Sequence, residues 1–329
     1  MSEHGGRLLF HAQHYQRPAA EWLDLSTGIN PHSWPVPQLP ATVWSRLPEQ
    51  EDDLLTAAQQ YYQTPSLMAV AGSQMAIQLL PLLRDHSRVG VLTPAYAEHA
   101  DNWQRAGHHV QLVSAEAIEQ ALPQLDVLIV VHPNNPSGHL FSPQDLLRWR
   151  QQLQRRGGWL IVDEAFIDVT PEHSLARFSP MPSLIILRSL GKFFGLAGLR
   201  IGFVLAETSI LARLQNRLGP WPIATASRYI ACQALSDSHW QQHNRERLQQ
   251  AAQRLQQLLT QYGLPVTGAT ALFQWIVTPH AEHIHQQLAE QGILTRLFLT
   301  PASLRFGLPA DEADWQRLQR ALAVLRWDN

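Results

Sequence analysis

The chain has 329 residues, enough for one large α/β domain and a smaller companion, each with its own apolar core. Lys and Arg total 25 against 27 Asp and Glu, so no basic surplus favours nucleic acid or an anionic membrane. The single cysteine, Cys232, cannot form an internal disulfide, and the first residues lack the basic and then apolar order of an export signal. We therefore expect a cytoplasmic protein with small-molecule partners, no membrane span and no metal.

Short apolar segments rich in branched residues recur through the middle of the chain and predict buried strands. They are Val89–Thr93, Val127–Val131, Trp159–Asp163, Ser183–Ser189 and Ile201–Ala206. Segments with helical periodicity, such as Pro143–Arg155, lie between several of them. This alternation predicts a doubly wound, mainly parallel sheet with an active site at the carboxyl ends of its strands.

The two ends of the chain have a different pattern. Four prolines in Pro31–Pro40 predict a connecting strap, and His239–Tyr262 has the pattern of a long amphipathic helix that leaves the large domain. Further strands and a closing helix are predicted at Leu272–Thr278, Ile293–Leu299, Ser303–Leu308 and Asp311–Arg326. We expect an N-terminal arm over residues 1–40, a large domain over 41–238 and a small α+β domain over 239–329.

Lysine occurs once in the sequence, at Lys192. An arginine-rich genome accounts for the scarcity of lysine, but not for the position of the one that is present. Lys192 lies in a glycine-rich segment, Ser189–Gly202, of the kind that brings backbone close to a ligand. An amine can form an imine, whereas the hydroxyl of Ser189 and the guanidinium of Arg200 suit phosphate oxygens. The segment therefore predicts an aldehyde cofactor that carries a phosphate.

Lys192 has two competing interpretations. The first is a surface lysine in a flexible loop. The second is the Ser-x-x-Lys pair of penicillin-binding enzymes. That pair requires a Lys-Thr-Gly triad, which a chain with one lysine cannot contain, and Ser236-Asp237-Ser238 matches their Ser-Asp-Asn motif only in part.

The ends of other predicted strands carry groups that suit the same cofactor. Asp163 would keep a pyridine nitrogen protonated, Asn135 would donate to a ring oxygen, and Tyr96 offers an aromatic face. Gly72-Ser73-Gln74, ahead of the apolar helix Met75–Leu83, has the form of a helix N-terminus that receives a phosphate. Each motif alone is explained equally well by a turn or a cap. Together, in this order, they predict one site.

This ordered set resembles the fold-type I aminotransferase superfamily over roughly two-thirds of the chain. The resemblance implies a large domain with a seven-stranded, doubly wound α/β sheet, a smaller α+β domain, a homodimer, and pyridoxal 5'-phosphate (PLP) as cofactor. It implies Lys192 as the Schiff-base lysine, catalytic together with Asp163 and Tyr96. The implied cofactor-binding residues are Gly72, Ser73, Gln74, Tyr96, Asn135, Asp163, Ser189, Lys192 and Arg200.

Within the superfamily, shorter segments resemble the threonine-phosphate decarboxylases of cobalamin biosynthesis, with the histidinol-phosphate aminotransferases next. These segments are His4-Gly5-Gly6, Asp24–Pro31, Tyr96–His99 and Asp163–Asp168. The resemblance implies that His4, Gly5, Gly28 and Asn135 line the substrate site. It further implies that Arg296 binds the substrate phosphate and Arg305 its carboxylate.

Two residues depart from the wider aminotransferase pattern. Phe166 stands where many members have a tyrosine against the ring oxygen, so one hydrogen bond to the cofactor is absent. Leu47 stands where relatives often have a tyrosine that reaches the partner subunit's cofactor phosphate, which puts that contact in doubt.

The cofactor residues do not separate decarboxylation from transamination, because the outcome depends on which substrate bond is held perpendicular to the cofactor ring. The favoured hypothesis is loss of CO2 from L-threonine O-3-phosphate, which gives (R)-1-amino-2-propanol O-2-phosphate. The alternative enzyme is a histidinol-phosphate aminotransferase. A non-catalytic protein that kept the scaffold is the third hypothesis. The presence of Lys192 and the lack of a flanking basic helix-turn-helix segment argue against it.

Overall fold

The computed structural model describes residues 5–49 and 52–326. Within these residues the chain forms thirteen strands and eleven α-helices, joined by turns and short 3-10 helices. The strands are β1 Leu23–Asp24, β2 Leu67–Val70, β3 Arg88–Leu92, β4 His109–Val113, β5 Val127–Val131, β6 Trp159–Asp163, β7 Leu184–Ser189, β8 Gly202–Ala206, β9 Gly268–Thr270, β10 Phe273–Val277, β11 Ile293–Leu294, β12 Arg296–Leu299 and β13 Ala302–Gly307. The helices are α1 Leu8–His14, α2 Leu54–Tyr62, α3 Ser73–Leu79, α4 Glu98–Arg105, α5 Ile118–Ala121, α6 Pro143–Gln154, α7 Thr208–Leu218, α8 Thr225–Ser236, α9 Ser238–Gln261, α10 Ala281–Glu290 and α11 Glu312–Ala323.

The contacts divide the chain into two units. The central unit comprises residues 33–135 and 140–242. The second, here called the terminal unit, comprises the described residues up to 32, residues 136–139 and those from 243 onward. The predicted division at 40/41 and 238/239 into functional domains stays a prediction.

The central unit is built on a seven-stranded sheet with the order β2-β8-β7-β6-β5-β3-β4. β8 is antiparallel to both of its neighbours, and the pairs from β7 to β4 are all parallel. The predicted doubly wound, mainly parallel sheet is therefore confirmed. The apolar pattern does not predict β2 and β4, because β2 has only four residues and β4 is largely exposed.

The middle strands are buried on both faces, which is why their sequences are continuous apolar runs. Every residue of β5 and β6 is buried. On one face, Ile129, Ile161 and Ile185 pack in a core that also contains Ile77 of α3 and Trp103 of α4. Burial of each such side chain contributes about 1.5–3 kcal/mol, so the strands have little freedom to shift.

Strand register brings several strand ends to one edge of this sheet. Val131 pairs with Asp163, and Asp163 pairs with Leu187. Gly202 of the antiparallel β8 pairs with both Val70 and Ser189. The carboxyl ends of β2, β5, β6 and β7 therefore lie along the same edge, where ligands of open α/β sheets bind.

The terminal unit has an antiparallel sheet of order β12-β13-β10-β9 and a parallel pair, β1 with β11. The prediction of one strand over Ile293–Leu299 is wrong, because the chain changes partner at Thr295, between β11 and β12. The buried Thr295 hydroxyl lies 2.8 Å from His285 Nδ1 of α10, which fixes the break between the two strands.

Two further predictions concern segments that contain proline. The predicted helix Met75–Leu83 is α-helical only to Leu79 and continues as a 3-10 turn over Leu80–Leu83. Pro81 lacks the N–H that a continuing α-helix would use. The predicted strap Pro31–Pro40 contains no helix or strand.

Across residues 5–49 and 52–326, no helix combines the length and the apolar character needed to cross a membrane.

Candidate active site

The first turn of α3 and the side chain of Arg200 approach each other closely. Gly72 precedes α3 with φ 74° and ψ 154°, and a Cβ there would lie 2.7 Å from Arg200 Nη2. A Cβ at Gly202 would lie 2.8 Å from the backbone nitrogen of Ser73. Gly202 requires glycine because backbone atoms occupy the Cβ position, and Gly72 favours glycine because of its positive φ. Arg200 itself has φ 50°, a left-handed conformation that an arginine rarely adopts and that aims its guanidinium at this turn.

Ser189 adds a hydroxyl to the same place. It is the last residue of β7 and the register partner of Gly202, and its Oγ accepts a hydrogen bond from Gly191 N at 3.2 Å. Ser73, Ser189 and Arg200 thus offer hydroxyl, guanidinium and helix N-terminal N–H groups at one edge. This donor set fits a phosphate group.

Asp163 is a carboxylate held in a buried position at the end of β6. Its relative exposure is 4%, its Oδ2 lies 2.9 Å from His99 Nε2, and its Oδ1 accepts from Ala165 N at 3.1 Å. Each oxygen has a fixed partner, so the carboxylate has one orientation. A buried anion of this kind favours protonation of a basic nitrogen placed against it.

His99 is a site residue to which sequence reasoning assigns no role. The segment Tyr96–His99 contains it, but only the resemblance to a family marks that segment. The one local signal is its spacing of three from Tyr96, which places both near one face at the start of α4. The two rings lie 6.1 Å apart at 84°.

Tyr96 is oriented by side chains around it. Its hydroxyl donates to Gln74 Oε1 at 3.1 Å, and Gln74 Nε2 donates to Glu98 Oε2 at 2.8 Å. Burial, and then the charges of Glu98 and Asp163, raise the pKa of Tyr96 to about 12, so it stays a neutral donor at physiological pH. Gln74, predicted for the phosphate, is therefore also placed to orient Tyr96.

Lys192 and Asn135 follow the ends of β7 and β5. Lys192 is half-buried, with Nζ 5.4 Å from the ring centroid of Phe166, whose own exposure is 5%. Asn135 is half-buried and follows Asn134, whose Nδ2 is anchored by donation to Pro94 O at 2.8 Å.

In the terminal unit, Arg296 and Arg305 are direct register partners on β12 and β13. Arg305 is 5% exposed and donates to Ser26 O at 2.6 Å. Burial, and then the charge of Arg296, lower the pKa of Arg305 to about 9. Like charges directly opposite each other destabilise a strand pair, and a bound anion would offset that cost.

The remaining predicted substrate residues lie near Ser26 or outside the described range. A Cβ at Gly5 would lie 2.4 Å from Ser26 O, and Ser26 Oγ accepts from Gly6 N at 2.9 Å. Gly28 is buried with φ 61°. His4 lies outside the described residues. Ser26, which joins the N-terminal segment to Arg305, is not predicted by the sequence.

The family model for aminotransferase class I and II matches residues 44–322. The chain belongs to this family. Its members are PLP-dependent enzymes, so the predictions of an enzyme and of PLP as its cofactor are confirmed. The amine of Lys192, the buried carboxylate of Asp163, the ring of Tyr96 and the phosphate donors around Gly72 fit that cofactor.

Two relatives match nearly the whole chain. A threonine-phosphate decarboxylase of Pseudomonas aeruginosa is 54% identical over 98% of this chain and 97% of its own. A threonine-phosphate decarboxylase of a Sinorhizobium species is 40% identical over 97% of each. Among solved structures, histidinol-phosphate aminotransferase from Sinorhizobium meliloti in complex with PLP superposes with a TM-score of 0.81, at 19% identity, over 98% of this chain and 97% of that one. That likeness supports the fold.

The close approach of Gly202 to the start of α3 can be tested by adding a methyl group at this position. We expect Gly202→Ala to lower the free energy of unfolding by about 1–3 kcal/mol and to weaken PLP binding, because the Cβ would meet backbone atoms of Arg188 and Ser73. Gly198→Ala is the control, since nothing lies within 4 Å of its Cβ. Denaturant unfolding and cofactor titration measure both effects. Equal behaviour of the two variants would contradict the packing described.

A second prediction concerns Asp163. We expect Asp163→Asn to lower the turnover number by about 10²–10³-fold while PLP still attaches to Lys192, because an amide cannot stabilise a protonated ring nitrogen. Steady-state kinetics and the absorbance of the attached cofactor separate the two quantities. An unchanged turnover number would show that the charge of Asp163 does not contribute to catalysis.

Proposed function

We propose that the protein is a PLP-dependent decarboxylase that converts L-threonine O-3-phosphate into (R)-1-amino-2-propanol O-2-phosphate and CO2, as a step of cobalamin biosynthesis. This is the activity named for the two relatives that are 54% and 40% identical to the chain. The structural observation that carries the proposal is the pair Arg296 and Arg305, two cations held side by side and suited to a substrate with two anionic groups.

The cofactor roles are assigned to residues of the central unit. Lys192 Nζ would hold PLP covalently, and Asp163, fixed by His99, would keep the proton on the ring nitrogen. Tyr96 would cover one face of the ring, and Asn135 would donate to the ring oxygen. The cofactor phosphate is bound by residues around the first turn of α3 and the end of β7. They are Gly72, Ser73, Gln74, Ser189 and Arg200.

When bound, PLP supplies an electron-withdrawing ring that accepts the electron pair left on the reacting carbon. The residues of the chain then decide which bond yields that pair. Arg305 binds the substrate carboxylate through its planar guanidinium and fixes the direction of the Cα–carboxylate bond, while Arg296 binds the phosphate. Fixing the direction of that bond would favour loss of CO2 over loss of the Cα proton.

The terminal unit supplies the rest of the proposed substrate site. Ser26 O accepts from Arg305, and Gly5 lies against the same backbone oxygen, so the N-terminal segment and Arg305 are tied together. Gly5 and Gly28, and His4, which lies outside the described residues, are assigned to substrate binding in this proposal, as is Asn135. Glycine at position 5 lets the chain pass close to the Ser26 backbone, and Gly28 adopts a positive φ that glycine tolerates.

A cytoplasmic homodimer is part of the proposal. On the central unit, Trp44, Leu47 and Trp221 are exposed by 70%, 63% and 54%. Pro48, the residue after Leu47, lines one shallow cavity together with Trp221. A second copy would cover them, since large exposed apolar patches are typical of interfaces. Leu47 would then contribute an apolar contact in place of the tyrosine hydroxyl found in relatives.

The activity is tested with two substrates and the purified holoenzyme. With L-threonine O-3-phosphate we expect CO2 release that does not depend on a keto acid. With histidinol phosphate and 2-oxoglutarate we expect no glutamate above the background. Glutamate formation with histidinol phosphate, or absence of CO2 from threonine phosphate, would contradict the proposed reaction.

The role of Arg305 gives a further prediction. We expect Arg305→Met to lower kcat/KM for threonine phosphate by about 10–150-fold, which corresponds to the 1.5–3 kcal/mol of a charged hydrogen bond. Arg320→Met, which removes an exposed arginine of α11, is the matched control. Kinetics with both variants, together with their unfolding midpoints, separate substrate binding from stability. A kcat/KM equal to that of the parent in Arg305→Met would remove this residue from the site.

A further inference from the structure

A buried cluster of charges joins the two strand ends that carry Asp163 and Ser189. Arg188, the residue before Ser189, donates from Nη1 to Glu164 Oε2 at 3.0 Å and from Nη2 to Asp168 Oδ1 at 2.5 Å. Glu164 is the residue after Asp163. The three charged side chains are 3%, 0% and 1% exposed. The cluster therefore links the end of β6 to the end of β7 through side chains shielded from water.

Further hydrogen bonds hold the two carboxylates of this cluster. Glu164 accepts from Ser174 Oγ at 2.6 Å and from Leu175 N at 2.7 Å. Asp168 Oδ1 accepts from Tyr61 OH at 2.8 Å. Burial raises the pKa of Glu164, and Arg188 acts in the opposite direction. For Arg188, burial lowers the pKa, but Asp168 and Glu164 more than offset it.

The cluster lies on the face of the sheet opposite to the proposed cofactor residues. Side chains alternate along a strand, so Asp163 shares a face with Ile161, and Ser189 shares it with Leu187. Ile161 and Leu187 belong to the core beneath α3 and α4. Glu164 and Arg188 point to the other face, where the Arg188 guanidinium lies 4.5 Å from the Tyr62 ring centroid of α2.

We propose that Arg188 is a positioning residue for the cofactor site, which clamps the end of β6 to the end of β7 and so fixes the distance between Asp163 and the segment Ser189–Lys192. The proposal rests on the cofactor roles assigned to Asp163 and Lys192. Stability alone does not require such a cluster, because well-packed hydrophobic side chains often replace buried ion pairs without loss. Geometry at a reacting centre is more demanding, since a displacement of about 1 Å costs roughly 10²-fold in rate.

The test uses a variant in which the cluster carries no charge, so that a loss of positioning can be distinguished from a loss of stability. Arg188→Met leaves Glu164 and Asp168 buried without their cation, so it should both destabilise the protein and weaken PLP binding. The triple variant Arg188→Met, Glu164→Gln, Asp168→Asn removes all three charges and should recover much of the stability. We expect this triple variant to bind PLP at least about tenfold more weakly than the parent, because the clamp is still absent.

Two single-residue variants complete the test. One measures the effect of destabilisation alone, and the other removes a single hydrogen bond of the cluster. Arg150→Met removes another buried arginine, whose Nη1 donates to Pro182 O at 2.9 Å near the opposite end of β7. It should lower stability without changing PLP affinity. Tyr61→Phe removes only the hydroxyl that donates to Asp168, so it should fold and show a smaller loss of PLP affinity in the same direction.

The measurement is the PLP dissociation constant of each purified variant, taken from the absorbance of the lysine-attached cofactor well below the unfolding midpoint. A triple variant with the affinity of the parent would overturn the proposal. If the triple variant does not fold, parental affinity in Tyr61→Phe would overturn it. Equal loss in Arg150→Met would show that any destabilisation weakens binding, which also contradicts a specific clamp.

The readout needs no substrate, so it is independent of the proposed reaction. A parent that attaches PLP but does not release CO2 from threonine phosphate contradicts the substrate assignment and leaves the clamp result standing. A parent that attaches no PLP contradicts the role of Lys192, and with it the clamp.

Discussion

The register of the parallel strands in the central sheet determines where every proposed cofactor residue lies. Val131, Asp163 and Leu187 are aligned across β5, β6 and β7, and Gly202 aligns Val70 with Ser189. Because the middle strands are buried on both faces, a slip of one residue would move a whole set of apolar side chains to the wrong face. The polar groups that follow these strands therefore meet at one edge.

This arrangement buries several charged side chains. Their hydrogen-bond and ion-pair partners, on both faces of the sheet, offset the free-energy cost of burying them. Asp163 is fixed by His99 and a backbone N–H on one face, while Glu164 and Asp168 share the guanidinium of Arg188 on the other. An unpaired buried charge would cost several kcal/mol. Three carboxylates within six residues are accommodated at this sheet edge because each accepts hydrogen bonds from fixed partners.

The sequence is most informative where burial is complete. It predicts the bounds of β5 and β6 to the residue, because strands buried on both faces are continuous apolar runs. It does not predict β4, whose side chains are mostly exposed, and it predicts one strand over Ile293–Leu299 because a change of pairing partner leaves no mark on local hydrophobicity.

The sequence also predicts some residues of the candidate site and not others. The motif residues can be identified from the sequence because their order along the chain resembles a family. His99, Ser26 and Arg188 cannot, since their roles depend on contacts between distant residues. His99 meets Asp163 64 residues away, and Arg305 meets Ser26 279 residues away.

The attachment of the cofactor to the one lysine of the chain, at this sheet edge, underlies every role assigned to the site. Borohydride reduction of the holoenzyme, followed by proteolysis and mass spectrometry, tests that attachment directly. We expect a pyridoxyl group on the peptide that contains Lys192 and loss of the absorbance of the attached cofactor. A pyridoxyl group on the N-terminal amine alone, or on no peptide, would contradict the attachment.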